Sequence, residues 1–255
     1  MLEGTMTGHG LEDFLIAEDL MLLLLDDEKG TIHSESSAPY LLAGALLSEL
    51  TLLERVAQGE KEGLFGRRKL LPLGQGPLPD PLLQEAYDEV VDKPRDPQSV
   101  LSKISKDLHK RVPARLAERG LVRLEQKKVM RIFSQTRYPS IDQSRERAVR
   151  NEIRAVLADG LTARSRVAAL IALLSAGNSL KHVLKEQDVS WTPEVKQRAK
   201  EIQKGDWGAG VASAAIAASV ATIAGGAAAA GTYGGGDGGG DGGSGGGDGG
   251  GGGGS

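Results

Sequence analysis

Residues 113–139 read PARLAERG-LVRLE-QKK-VMRIF-SQTRYP, and this stretch decides the fold class. Proline suits the first turn of a helix and glycine commonly follows the last one, so Pro113–Arg119 is expected to be a short helix that the following glycine ends. Apolar and polar residues then alternate in Leu121–Glu125 and in Val129–Phe133. This alternation predicts two strands joined by a turn at residues 126–128. A helix is therefore expected to run directly into a β-hairpin.

Helical patterns lie on both sides of this unit. In the helix predicted over Tyr40–Arg55, leucines 42, 46, 50 and 53 share one face, and Gly44 would permit close packing. The most apolar helix, Ala163–Ser175, is expected at the centre of the core. Further helices are predicted at residues 15–25, from 81 with Asp80 as cap, from Ser99 or Ser102, and at 145–158, 180–184 and 193–203. The predicted class is mainly α, with a single globular helical domain and one β-hairpin.

Three regions divide the chain. Residues 1–10 are predicted to be disordered, residues 11–231 to form the domain, and the Gly-rich residues 234–255 to form a disordered tail. Residues 59–81 contain many glycines and prolines, which predicts an irregular loop that includes either a short ribbon or an arm. The uncharged Ala-rich residues 208–231 are long enough to cross a bilayer, but alanine and glycine favour that weakly. A closing helix packed on the domain is the preferred interpretation.

The composition excludes several classes of protein. The chain has no cysteine, so disulfides, thiolate catalysis and cysteine-based zinc sites are excluded. Its four histidines form no metal-binding pair at helical spacing, and no nucleophile elbow or phosphate-binding loop is present. Adjacent acids such as Glu18 and Asp19 are expected to be solvated on a helix surface. These features predict a non-enzymatic protein without a cofactor or a metal. The first residues do not show the pattern of a secretory signal, so a cytoplasmic protein is expected.

Charge is distributed unevenly along the chain. Residues 103–150 hold 14 Lys/Arg and 5 Asp/Glu, a local charge of +9, whereas residues 1–100 hold 8 and 19, a charge of −11. The net charge of −3 hides this contrast. A basic block in an acidic chain indicates an anionic partner, either a lipid headgroup or a nucleic acid.

One candidate site lies on the helix that precedes the hairpin. On a continuous helix Lys103, Lys106 and Lys110 would share a face, with His109 beside them and Arg111 at the end. Several donors could converge there on a phosphate group. The alternative is a solvated charged face. The predicted headgroup-binding residues are Lys106, His109, Lys110 and Arg111.

The hairpin is a second candidate site. Cations beside apolar residues at a turn suit a membrane interface, where apolar groups insert and cations meet headgroups. The alternative is that the apolar residues pack against the domain. The predicted residues for membrane contact or self-association are Lys127, Lys128, Val129, Met130, Ile132 and Phe133.

A helix, a glycine and a hairpin also occur in that order in winged-helix modules that bind DNA. Positive charge suits such a regulator as well. A winged helix needs a tight turn before its recognition helix, and the sequence here predicts an almost continuous helix instead. Nucleic acid is therefore the less favoured partner.

Five segments of the chain, in order, resemble the Golgi phosphoprotein 3-like family, and the likeness covers about residues 11–224. Each segment is weakly specific alone, but the five in register are more specific together. The segments are residues 15–23, 42–50, 79–86, 115–122 with the hairpin and 137–139, and 164–176.

The resemblance implies a mainly helical peripheral membrane protein. Members of this family in eukaryotes bind phosphatidylinositol 4-phosphate through a tryptophan and several basic residues, use a hydrophobic hairpin for membrane contact and self-association, and act as adaptors for membrane-protein clients. The two basic positions on the helix before Gly120 fall at Lys106 and His109. The tryptophan position falls near His33 or Ser34, and an arginine position falls at Ala43. The resemblance therefore predicts binding of phosphatidylinositol 4-phosphate or of anionic lipids in general, a homo-oligomer formed through the hairpin, and client proteins.

Overall fold

The computed structural model describes residues 14–61, 68–93, 95–129, 133–206 and 214–233. Within these residues it has ten helices and two antiparallel hairpins, which confirms the mainly α class. In chain order the elements are α1 Ile16–Leu24, α2 Ala38–Leu52, β1 Val56–Lys61, β2 Arg68–Pro72, α3 Pro81–Asp92, α4 Pro97–Ile104, α5 Leu108–Glu118, β3 Glu125–Val129, β4 Phe133–Arg137, α6 Ser144–Leu157, α7 Ser165–Ala176, α8 Leu180–Lys185, α9 Pro193–Gln203 and α10 Ala214–Tyr233.

Helices α1, α2 and α7 form the centre of the core. All nine residues of α1 are buried, and α2 packs against α1, α3, α7 and α10. A helix that is apolar on every side is stable in water only when neighbours cover every side. The predicted central position of α7 is confirmed, since residues 167–174 are all buried. Leu42, Leu46 and Leu50 are buried as predicted, but Leu53 is 48 % exposed because α2 ends at Leu52.

Helix α10 closes the domain against α2, α7 and α4. Gly44 of α2 permits the close approach: a Cβ atom there would lie 2.8 Å from Leu173 Cδ2 and 3.3 Å from Ala227 Cβ. Ile223 and Ala224 of α10 are also fully buried. Among the helices in the described part of the chain, none is long and apolar enough to span a membrane. The closing-helix interpretation is therefore confirmed for this part of the 208–231 segment.

Aspartate and proline together set the starts of α3 and α4. Asp80 accepts a hydrogen bond from the backbone N–H of Leu82 at 2.9 Å, and Pro81 is the first helical residue, as predicted. The predicted start of the next helix at Ser99 or Ser102 is wrong. Helix α4 begins at Pro97, because Asp96 supplies the cap and the proline fits the first helical position.

Helix α5 runs through Pro113, so the predicted short helix that starts at this proline is wrong. Proline removes one backbone hydrogen bond, but Val112 and Leu116 are fully buried, and this packing against the core retains the helix. The predicted end is confirmed. Gly120 has a φ of +76°, and the N–H of Leu121 donates to the carbonyl of Leu116 at 3.0 Å.

The predicted hairpin exists, but its strands lie further along the chain. Strand β3 pairs with β4 from Glu125 opposite Arg137 to Val129 opposite Phe133. The predicted turn at residues 126–128 is therefore wrong, because these residues belong to β3. Gln126 and Lys127 are exposed, and in a polar ribbon the alternation of apolar residues does not determine the register.

A second hairpin lies in the region predicted to be irregular. Strands β1 and β2 pair antiparallel, with Val56 opposite Pro72 and Gln58 opposite Leu70. Val56 and Leu70 are buried, so one face of this ribbon packs against the domain. Of the two alternatives for residues 59–81, the ribbon is confirmed. The predictions for residues 1–10 and 234–255 lie outside the described residues.

Candidate functional site

Residues 105–107 form a tight turn between α4 and α5. Asp107 has a φ of +57°, a left-handed conformation that ends α4 and redirects the chain into α5. Lys103 lies in the last turn of α4, Lys106 in the turn, and Lys110 in α5. The predicted single helical face is therefore wrong. The cations at 103 and 106 instead lie at a junction of two helices.

A cavity of about 520 Å³ lies between this junction and α3. Its floor is apolar, with Leu46 and Leu82 among its residues, and its rim is charged. The cations on the rim are Lys103, Lys106 and Arg111. The acids are Glu85, Asp88, Glu89 and Asp107. A rim with both signs of charge can hold a phosphate group only where that group competes with the carboxylates.

Most of these cations already have partners. Arg111 donates to both carboxylate oxygens of Glu85, at 2.7 and 2.8 Å. Lys103 pairs with Glu89 at 3.0 Å. The hydrogen bond from Arg111 lowers the pKa of Glu85, so this carboxylate stays ionised at neutral pH. Among the described residues, Lys106 makes no ion pair and is exposed.

The other two predicted headgroup residues differ in exposure. Lys110 is exposed and lies 3.4 Å from Asp107. His109 is partly buried, and its Nδ1 atom has no hydrogen-bond partner within the described residues. The junction therefore combines one unpaired lysine, a weakly paired lysine and a tightly paired arginine.

None of the predicted hairpin residues that the structure describes lines this cavity. Lys127 is exposed in β3, and Lys128 precedes the last paired residues, Val129 and Phe133. Met130 and Ile132 lie outside the described residues. The roles predicted for these six residues stay predictions.

The positions at which the family resemblance expects a tryptophan and an arginine have other roles here. The ring of His33 stacks on that of His182, with centroids 4.3 Å apart. Ser34 Oγ lies 3.2 Å from Ser179 Oγ. Ala43 is fully buried in α2. His33 and Ser34 thus join the α1–α2 segment to α8 and the residue before it, and neither a tryptophan nor an arginine stands at these positions.

A buried cluster of acids and arginines surrounds the N-terminal end of α1. Asp19, 1 % exposed, accepts two hydrogen bonds from Arg145, at 2.7 and 2.6 Å. Glu18, 0 % exposed, lies 2.9 Å from Arg119 and also caps the backbone N–H of Leu15. The expectation that these two acids are solvated is wrong. The sequence of α1 could have predicted their burial, because a helix that is apolar on every side has no solvent-exposed face on which acids could lie.

The cluster continues into α2 and α7. Glu49 accepts hydrogen bonds from Arg166 at 2.7 Å and from the backbone N–H of Ile16 at 2.6 Å. Burial raises the pKa of Glu49, although Arg166 opposes this effect. The ring of Phe14 lies between the guanidinium groups of Arg119 and Arg145, 4.5 and 4.7 Å from its centroid. The cluster thus joins helices α1, α2, α5, α6 and α7.

Helices α4 and α5 and the β3–β4 hairpin follow one another in the order of a winged helix. The structure has a tight turn between α4 and α5, which the sequence did not predict. However, the arginines at 111, 115 and 119 are paired with acids of the same chain. Arg111 pairs with Glu85, Arg115 pairs with Asp80 at 2.7 Å, and Arg119 pairs with Glu18. A recognition helix must present such side chains to a DNA groove. The packing therefore does not favour the nucleic-acid alternative.

Comparison with known proteins gives one family match. The family model described as Golgi phosphoprotein 3 (GPP34) matches residues 16–219, which include every helix and strand from α1 to α9 and the first residues of α10. A search of curated proteins found no match. A match that spans most of the chain and most of its core is sufficient for assignment, and the chain belongs to the Golgi phosphoprotein 3 family.

Proposed function

We propose that this chain is a peripheral membrane adaptor, without catalytic activity, that binds anionic phospholipid headgroups. The observation that carries the proposal is the α4–α5 junction, where Lys103, Lys106 and Arg111 surround a cavity of about 520 Å³. Family membership supports a lipid as the anion. Lys106, His109, Lys110 and Arg111 are the proposed headgroup residues.

The binding is expected to be weak and sensitive to salt. Each exposed cation near an anionic leaflet contributes about 1 kcal/mol, and the effect falls off within a Debye length. Lys106 and Lys110 are the exposed lysines of the junction that are not paired with an acid of α3, so they supply most of this attraction. Arg111 contributes only when it leaves Glu85.

General recognition of anionic lipids fits this chain better than strict recognition of phosphatidylinositol 4-phosphate. Ala43 is buried, and His33 is stacked on His182, at positions where the family resemblance expects an arginine and a tryptophan. The pocket for the 4-phosphate would therefore lack two of its groups. We expect similar affinity for any leaflet of equal negative charge.

The hairpin β3–β4 is proposed as a second contact, either with the bilayer or with another copy of this chain. Lys127 is exposed on β3, and the last paired residues, Val129 and Phe133, flank the apolar Met130 and Ile132 in the sequence. A cation beside apolar groups suits the membrane interface. Membrane-protein clients would complete the proposed role as an adaptor.

Vesicle co-sedimentation tests the proposal. The full chain is mixed at low and physiological salt with neutral vesicles, phosphatidylserine vesicles and phosphatidylinositol 4-phosphate vesicles, with duplex DNA as competitor. The test variant is Lys106→Glu with Lys110→Glu. The matched control is Lys196→Glu with Lys200→Glu, which makes the same charge change at exposed positions of α9.

We expect the wild type to sediment with both anionic vesicles, the junction variant to lose this binding, and the α9 variant to keep most of it. Equal loss in the two variants would overturn the assignment of the site. Absence of binding to every vesicle at low salt would overturn the proposed function. Displacement of the bound protein from vesicles by DNA would support the alternative function, binding of nucleic acid.

A further inference from the structure

The acids of α3 lie against the cations proposed to bind lipid. Glu85 and Glu89 are one helical turn apart on α3 and both line the cavity at the α4–α5 junction. Glu85 binds Arg111 with two hydrogen bonds, and Glu89 binds Lys103. Two carboxylates of the chain therefore occupy the positions that two phosphate oxygens would take.

We propose that Glu85 and Glu89 are built-in counter-ions that compete with headgroup phosphates for Arg111 and Lys103 and so limit the affinity of this site. The inference rests on the proposed function. An anionic leaflet would have to displace both carboxylates before the two cations could contact phosphate. Lipid binding then becomes an exchange of partners at one site.

The two ion pairs are suited to such an exchange because they lie at the surface. The side chains of Arg111 and Glu85 are 42 % and 57 % exposed, and those of Lys103 and Glu89 are 44 % and 37 % exposed. Exposed pairs contribute little to stability, so opening them does not unfold the domain. The paired-oxygen geometry of Glu85 is also the geometry in which a guanidinium binds a phosphate group. Phosphate can therefore replace the carboxylate without a change in the backbone.

The competition persists at neutral and mildly acidic pH. The hydrogen bond from Arg111 keeps the pKa of Glu85 below its usual range, so mild acid does not neutralise this carboxylate. Release therefore depends on the density of negative charge on the partner surface. Vesicles with little anionic lipid should bind poorly, whereas densely charged vesicles should bind well.

Asp88 provides a matched control on the same rim. It lines the cavity and carries the same charge, but its carboxylate accepts a hydrogen bond from the amide of Gln84 at 2.7 Å and pairs with no cation among the described residues. Replacing Asp88 removes repulsion between the rim and the membrane but releases no cation. Replacing Glu85 and Glu89 removes repulsion and also releases two cations.

The experiment compares wild type, Glu85→Gln, Glu85→Gln with Glu89→Gln, and Asp88→Asn. Partition onto phosphatidylcholine vesicles with increasing phosphatidylserine is measured over a salt series, and circular dichroism verifies the fold of each protein. When Glu89 is replaced, Arg95 keeps Asp92 as a partner at 3.0 Å. We expect the double variant to bind roughly tenfold more tightly than wild type, with a steeper dependence on salt, and Asp88→Asn to bind within about twofold of wild type.

The competition would be overturned if the fold increase in the double variant did not exceed the square of the fold increase in Asp88→Asn, because removal of two charges instead of one would then explain it. Binding by the double variant to vesicles with too little phosphatidylserine to bind wild type would support the proposal. Failure of all four proteins to bind any anionic vesicle at low salt would overturn the proposed function and this inference together. Equal binding by all four would overturn only the inference.

Discussion

Asp19 occupies a position where a charge is costly unless it is paired. It is 1 % exposed, accepts two hydrogen bonds from Arg145 and lies 3.5 Å from Arg166. Removal of charges from water costs several kcal/mol for each ion, and only close partners offset this cost. The pairing therefore fixes how the N-terminal end of α1 sits against α6 and α7.

The variant Asp19→Asn should destabilise the fold strongly. It removes the charge that faces Arg145 and Arg166, and breaking a buried ion pair costs about 3–5 kcal/mol. Urea unfolding followed by circular dichroism measures this change in the free energy of unfolding. The control is Asp92→Asn, whose side chain is 69 % exposed beside Arg95 and should cost less than about 1 kcal/mol. Similar costs for both variants would contradict the role given to the buried pair.

Glu146 gives the stability of the fold a dependence on pH. Burial raises the pKa of Glu146 to about 7, although Arg150 opposes the shift, and the Asp27 carboxylate raises it further. A carboxyl group with a folded-state pKa above its unfolded value binds its proton more tightly when folded. Its stabilising effect is complete below the unfolded pKa of 4.5 and is lost as the pH rises through 7.

We therefore expect the free energy of unfolding to fall between pH 5 and pH 7.5, by about 1–3 kcal/mol from this group. Urea unfolding at several pH values measures the slope. Glu146→Gln stays neutral throughout and should flatten this part of the curve, while Arg150 keeps Glu186 at 2.5 Å and the carbonyl of Val183 at 2.9 Å. An unchanged slope in the variant would assign the pH dependence to other groups.

At the scale of elements, the sequence predicted those helix ends that depend on a few neighbouring residues. Asp80 with Pro81 gave the start of α3, and Gly120 gave the end of α5, because a cap and a left-handed glycine act on their own turn. Pro113 misled the prediction, because burial of Val112 and Leu116 outweighs the lost hydrogen bond. The core packing that decides this is invisible in a short window of sequence.

The candidate site was predicted in part for the same reason. Lys106 and Arg111 do line one cavity, but three of the four carboxylates on its rim come from α3, about twenty residues earlier in the chain. Asp107 adopts the left-handed conformation that joins the two helices, and no pattern in the neighbouring sequence indicates this conformation. Charge counts along a sequence therefore located the cations but not their partners.

The contact of α2 with α10 gives a prediction at this scale. In Gly44→Ala the new Cβ atom would lie 2.8 Å from Leu173 Cδ2, so α10 and α7 must move and we expect a loss of about 1–3 kcal/mol. Gly225→Ala is the matched control, since no atom lies within 4 Å of its Cβ position. This variant should gain about 0.5–1 kcal/mol from helix propensity alone. Thermal unfolding compares the two, and stabilisation by both would contradict the close packing at Gly44.

At the scale of the whole molecule, cations of the basic block form ion pairs with acids of the same chain. Acids from the first hundred residues pair with cations of residues 103–150: Asp19 with Arg145, Glu18 with Arg119, and Glu85 with Arg111. The contrast between −11 and +9 in the sequence is therefore partly neutralised by ion pairs within the chain. A lipid surface meets only the cations that remain exposed, of which Lys106 is one. This explains why weak binding is expected from a strongly basic segment.

The boundary of the folded unit gives the last prediction. A chain that ends at Tyr233 keeps α10, whose Ile223 and Ala227 are fully buried, and loses only residues without an apolar side chain. Its melting temperature should stay within about 2 °C of the full chain. A chain that ends at Asp206 lacks α10 and exposes the face of α2 and α7 around Gly44, so it should melt about 10 °C lower or aggregate. Calorimetry and gel filtration separate these outcomes. A large loss of stability on removal of residues 234–255 would mean that the tail belongs to the folded domain.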